Sequence, residues 1–287
     1  MKKIKRILAF IGAAILAVLA YLFGFNNSEV AGGDDPSTIV VEQPSNTSFS
    51  ESEALMELPS ATPGAKILRH SAYTSSYNSE TLLPDWVAYE LTEEETEGRL
   101  GRDGIEFRMD PDLKRTRQAM REDYSNSGWT KGHMMPAADA AFDGESMSET
   151  FYLTNICPQS EELNAGDWQF LEKRVRQLAR QYGRVWVVTG PIVGENRYGT
   201  IGDREVVVPD SFYKALLIKK DSGANGGYSA IAFVMGNDDG RYYLKDCAMS
   251  VNGLEAMTGL DFFPALDDAY EEKVEGQFKL SDWGISK

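Results

Sequence analysis

One stretch of the sequence constrains the fold more than any other. Between Glu161 and Tyr182, the apolar residues Trp168, Leu171, Val175, Leu178 and Tyr182 recur at steps of three and four. That spacing gives a single apolar stripe at 3.6 residues per turn, which predicts an amphipathic helix with Gly183 as its stop. Around it lie short runs dense in Val, Ile, Tyr and Phe, near Leu83–Leu91, Phe151–Ile156, Val185–Val193, Ser211–Ile218 and Tyr228–Met235. These read as strands. Shorter helices are predicted at Gly253–Met257 and Asp267–Val274. Strands and helices do not alternate regularly, so the class is α+β, with a central antiparallel sheet flanked by helices.

The N-terminus is different in kind. Lys2, Lys3, Lys5 and Arg6 precede a nearly unbroken apolar run from Ile7 to Phe25. Residues 1–31 therefore read as a signal peptide or an N-terminal membrane anchor, with the remainder exported, whether periplasmic, extracellular or tethered facing outward. Residues 32–65, rich in Ser, Thr, Pro, Gly and acids, read as a flexible linker. Residues 66–287 then form the folded domain, long enough for a sizeable core.

The chain carries a net charge of −15, which by itself disfavours polyanionic partners, because binding them is mostly neutralisation by Lys and Arg. One segment runs against this balance. Lys173, Arg174, Arg176, Arg180 and Arg184 make residues 173–184 locally basic. The two cysteines, Cys157 and Cys247, read equally well as a disulfide or as two buried small side chains.

There are only two histidines. His70 follows an apparent first strand and reads as structural. His133 lies in the run Thr130-Lys131-Gly132-His133-Met134-Met135-Pro136, where a flanking Gly and Pro suggest a short strand with constrained ends. Histidine accepts a proton near neutral pH, so a fixed imidazole is a candidate base. Some twenty residues on, Asn155 and Gln159 occupy a strand ending in amides. On the following helix Glu172, Arg176 and Arg180 are spaced by four and share one face. That face lies about 100° round from the apolar stripe. It therefore borders the core, as residues at a cleft edge would.

The blocks TKGHMMPAAD, TFYLTNICPQ, LNAGDWQFLE, VVTGPI, VPDSFYK and TGLDFF occur in that order between roughly Ile67 and Pro264. Together they resemble the DNA/RNA non-specific endonucleases, a family of ββα-metal nucleases. The resemblance implies metal-dependent hydrolysis of phosphodiester bonds in DNA and RNA through backbone contacts, leaving 5′-phosphate ends. His133 would be the general base, and Asn164 the one direct protein ligand to Mg²⁺, with Mn²⁺ as an alternative ion. Glu172 would hold metal-bound water. Arg176, with Lys131, would face the scissile phosphate. Asn155, Gln159 and Arg180 would line the substrate path, and Trp168 would pack beneath the metal-bearing turn. Either Arg99 or Arg102 would supply a further site arginine.

At the histidine block the family commonly has Asp-Arg-Gly-His. Here Thr130 and Lys131 replace the acid and the arginine, keeping a positive charge without its bidentate fork. That departure, with the acidic balance, leaves a second expectation: a catalytically weak nuclease-fold module that binds nucleic acid or a protein at the cell surface.

Overall fold

The computed structural model describes residues 55–60, 64–220 and 227–285. Its centre is a seven-stranded sheet in the order β1-β2-β3-β6-β9-β10-β11. The strands are β1 (Lys66–Arg69), β2 (Thr74–Asn78), β3 (Leu83–Thr92), β6 (Arg184–Ile192), β9 (Ser211–Lys219), β10 (Tyr228–Gly236) and β11 (Ala248–Met249). Every neighbouring pair is antiparallel. Two small sheets stand apart, β4 (Thr130–His133) with β5 (Ile156–Gln159), and β7 (Thr200–Ile201) with β8 (Val206–Val207). The helices are α1 (Gly144–Glu149), α2 (Trp168–Tyr182), α3 (Leu244–Cys247), α4 (Val251–Thr258) and α5 (Asp268–Glu275). The α+β class and the antiparallel sheet expected from the sequence are those observed.

Side chains alternate across a strand, and here both faces of the sheet are covered. One core gathers Val87, Tyr89 and Leu91 of β3, Val185 and Val187 of β6, and Phe212, Leu216 and Ile218 of β9 beneath α2. The other gathers Trp86, Trp186, Tyr213 and Leu217 beneath Val251, Leu254 and Val274 of α4 and α5. Double coverage explains why the central strands read as continuous apolar runs rather than as alternating ones.

Helix α2 buries Trp168, Leu171, Val175, Leu178 and Ala179, and ends at Gly183 with φ +77°. Glycine takes that left-handed conformation without the Cβ clash that other residues meet. The helix is not continuous back to Glu161, however. Leu163–Asp167 forms a wider π turn, with Gly166 at φ −105° and ψ −107°.

Two further expectations need correction. Phe151–Ile156 is not a strand. Leu153–Asn155 is a single 3₁₀ turn, and β5 begins only at Ile156. The apolar character of that stretch comes from burial of Phe151, Leu153 and Ile156 in the core and not from a ladder. The fold also reaches back beyond Lys66. Met56 is buried in the second core, and the Ser60 N–H donates to the Asp261 carbonyl at 2.9 Å. Residues 1–54, which hold the expected targeting segment and most of the expected linker, lie outside the described residues.

Because α2 is held to the sheet by its apolar stripe, Leu171→Ala is expected to destabilise the chain by about 2–5 kcal/mol through lost burial and an unfilled cavity. The urea midpoint of purified variant and wild type measures this.

Candidate active site

Strands β4 and β5 pair antiparallel, with Thr130 opposite Gln159 and His133 opposite Ile156. Gly132 has a steric reason. A Cβ there would come within 2.7 Å of the Gln159 Cβ. Strands β4 and β5, separated in sequence by α1 and the 3₁₀ turn, lead into the π turn and α2, and together they form a β-β-α unit whose residues surround two adjoining cavities. The first, of about 380 Å³, is lined by His133, Asn164, Arg102, Glu172, Lys173 and Arg176 among others. The second, of about 590 Å³, is lined by His133, Asn164, Arg102, Lys131, Thr130 and Phe107 among others. His133, Asn164 and Arg102 therefore stand where the two cavities meet.

The His133 ring is wedged against Phe151 and Phe107, with centroids at 5.0 and 5.4 Å. Burial, with the charge of Arg102 adding to it, lowers the imidazole to about 3. The ring is thus neutral across the physiological range. Its Nε2 is buried and has no partner among the described residues. A buried ring nitrogen without a partner is costly unless something else occupies that position.

Asn164 sits on the π turn. Its Nδ2 donates to the Thr130 hydroxyl at 2.9 Å, and that hydroxyl donates in turn to the Gln159 carbonyl at 2.8 Å. π turns inside helices often occur at functional sites, and this one offsets Asn164 from the regular α2 ladder. A hard cation such as Mg²⁺ keeps most of its waters and needs few protein oxygens. An amide oxygen on the wall shared by two polar cavities fits that requirement.

Arg176 donates through Nη1 to Asp139, whose second oxygen accepts from the Tyr89 hydroxyl at 2.8 Å. Asp139 is fully buried. The guanidinium is therefore held on one side while it lines the first cavity. Sequence reading missed both Asp139 and Tyr89, although Asp139 closes the block that contains His133. Lys131 lines the second cavity, its ammonium 5.2 Å from the Tyr124 ring centroid and 5.6 Å from that of Phe107. Desolvation lowers its amine, helped by Arg121.

Three expected substrate residues are not brought to the cavities. The Asn155 side chain accepts from Met135 N–H and donates to the Met135 and Thr150 carbonyls, so both its ends tie the backbone after His133 to that before β5. Gln159 is wholly buried behind Gly132. Arg180 points along α2 to Thr96, donating to its hydroxyl at 2.9 Å and its carbonyl at 3.1 Å. Between the two arginines left open by the sequence, Arg102 lines both cavities, whereas Arg99 pairs with Glu97 at 3.2 Å. Cys157 and Cys247 are both buried and free.

The sequence profile of the DNA/RNA non-specific endonucleases matches residues 51–269. The mitochondrial nuclease EXOG of Xenopus laevis is 36% identical over 228 residues, covering 76% of this chain and 63% of that protein. Its Danio rerio counterpart is 36% identical over 236 residues, covering 78% and 68%. The present chain thus spans less than two thirds of the Xenopus protein. In the crystal structure of the EndoG/EndoGI complex, one chain superposes with a TM-score of 0.65 at 28% identity, covering 71% of this chain and 88% of that one.

These relatives overturn the expectation of export, since the two proteins are mitochondrial by name. Nothing among the described residues supports the expected membrane partner. Among the described residues no helix is long and apolar enough to cross a membrane. A basic-led N-terminal segment is a cue shared by more than one targeting route, so its charge and hydropathy do not fix the compartment. From the profile match, the identity over most of its length and the shared fold, the chain belongs to the DNA/RNA non-specific endonuclease family.

Proposed function

We propose that the chain is a metal-dependent endonuclease that hydrolyses phosphodiester bonds of DNA and RNA without sequence preference. The observation that carries this reading is the unpartnered Nε2 of His133, at the junction of two cavities that it shares with Asn164. Mg²⁺ bound through Asn164 would supply electrophilic stabilisation of the phosphate oxygens.

The chain's own groups perform the remaining work. His133 Nε2 takes a proton from water, and the resulting hydroxide attacks phosphorus. The P–O3′ bond breaks, leaving a 5′-phosphate and a 3′ alkoxide that takes a proton from solvent. The phosphate brings a negative charge against the imidazole, which favours the imidazolium and raises the basicity that burial has lowered. Arg176, braced by Asp139, turns its remaining N–H groups to the phosphate, where fixed donors act without reorganising. Arg102, Lys131 and Lys173 flank it along the two cavities. Glu172 orders water beside Asn164. Such contacts go to phosphate and sugar, so they carry no base information, and none requires a 2′-hydroxyl.

Cleavage of plasmid DNA and of RNA by the purified chain, with Mg²⁺ and with EDTA, tests the reading. Both substrates should be cut only with metal, and His133→Ala should be slower by about 10²–10⁴-fold. A folded wild type that cuts neither, or a His133→Ala variant as fast as wild type, would refute it.

Asp139→Asn should lower kcat more than it raises KM, because it loosens Arg176 without removing it. Steady-state kinetics on one oligonucleotide separates the two constants.

The His133 imidazole also makes a stability prediction. Its pKa is about 3 when folded, against an ordinary value of 6.5. Between those values the unfolded chain holds a proton that the folded chain lacks, so stability must decline as pH falls through that window. Urea midpoints at pH 7 and pH 5 should drop less for His133→Gln than for wild type.

A further inference from the structure

Thr130 stands where the family commonly has an acid, and its hydrogen bonds are directional. A hydroxyl has one proton to give. Thr130 spends that proton on the Gln159 carbonyl, at 2.8 Å. Toward Asn164, 2.9 Å away, it therefore acts only as an acceptor. The Asn164 amide must then offer its NH₂ to Thr130, which leaves Oδ1 as the end free to face the cavities that Asn164 lines. The Gln159 carbonyl is fixed independently, because β4 and β5 pair at Thr130 and Gln159 and Gln159 is fully buried. The order Asn164 NH₂ to Thr130 OH to Gln159 C=O thus runs from the cavity wall to the rigid strand pair with one polarity throughout. Without the hydroxyl, nothing in this contact prevents the amide from turning its NH₂ to the cavity, and an NH₂ does not ligate a cation.

We propose that Thr130 is a positioning residue that fixes the orientation of the Asn164 amide, so that an oxygen and not a nitrogen meets a divalent cation. This inference rests on the reading of Asn164 as the ligand. It also gives the threonine a task that the family's carboxylate, which is another acceptor, could share. Partners that orient metal ligands in this way typically matter by about 10–100-fold in metal affinity.

The test is Mn²⁺ binding to the full chain without nucleic acid, followed by the electron paramagnetic resonance signal of the free ion. Asn164→Ala should abolish tight binding. Thr130→Val, which keeps the shape but loses the hydroxyl, should weaken it by about 10-fold or more. Thr130→Ser, which restores the hydroxyl, should bind within about threefold of wild type, a rescue that a purely structural role for Thr130 does not predict. If Asn164→Ala loses binding while Thr130→Val keeps wild-type affinity, the inference about Thr130 is wrong and the ligand assignment survives. If Asn164→Ala binds as wild type does, the ligand assignment itself is wrong, and this inference falls with it.

Discussion

Packing of α2 against one face of the sheet fixes where Asn164, Glu172 and Arg176 stand relative to His133. The contact is apolar along its length, but it also encloses charge. Lys214 of β9 points from the sheet toward α2, is fully buried, and places its ammonium 4.8 Å from the Trp168 ring centroid. Burial lowers this lysine and raises Glu172, and each shift is held back by the opposite charge of the other residue. Asp139 and Arg176 complete the set. Two acids and two bases thus share one desolvated region, in which removing one partner would strand another. The helix is anchored at its rear by hydrophobic burial and at its front by charge balance. That arrangement leaves little freedom for the residues that line the cavities.

This local balance also reconciles a chain of net charge −15 with the polyanionic substrate proposed for it. Arg102, Lys131, Lys173 and Arg176 line the cavities, against Asp103 and Glu172. A cleft can be cationic within an acidic protein because screening limits surface charges to about 8–10 Å in ordinary salt. The same acidic surroundings would repel a polyanion at longer range, so in the proposed reading association depends on the cleft itself.

Much of this was legible in the sequence, for identifiable reasons. The α2 stripe obeys a strict helical period, and the central strands are β-branched and aromatic, so both were found. The π turn was not, because its only local mark is Gly166 inside an otherwise helical pattern. Phe151–Ile156 misled because burial and strand pairing favour the same residue types. At the site, His133, Asn164, Glu172, Arg176 and Lys131 all line the cavities. Asn155 and Gln159 both belong to the block TFYLTNICPQ but are fully buried, which block membership alone does not reveal. Arg180 shares a face with Glu172 and Arg176, yet one further turn carries it past the cavity to Thr96. The brace from Tyr89 and Asp139 joins residues 50 apart in sequence, a contact that no local pattern encodes.

In the proposed reading, the Asn164 amide oxygen holds the metal in the cavities it shares with His133, whose Nε2 has no partner among the described residues. Anomalous diffraction from crystals of the chain soaked in Mn²⁺ tests it most directly. A single strong peak is expected about 2 Å from Asn164 Oδ1, with water in the remaining positions and His133 outside the coordination shell. A peak held instead by carboxylates elsewhere, or by His133 Nε2 as a ligand, would contradict it.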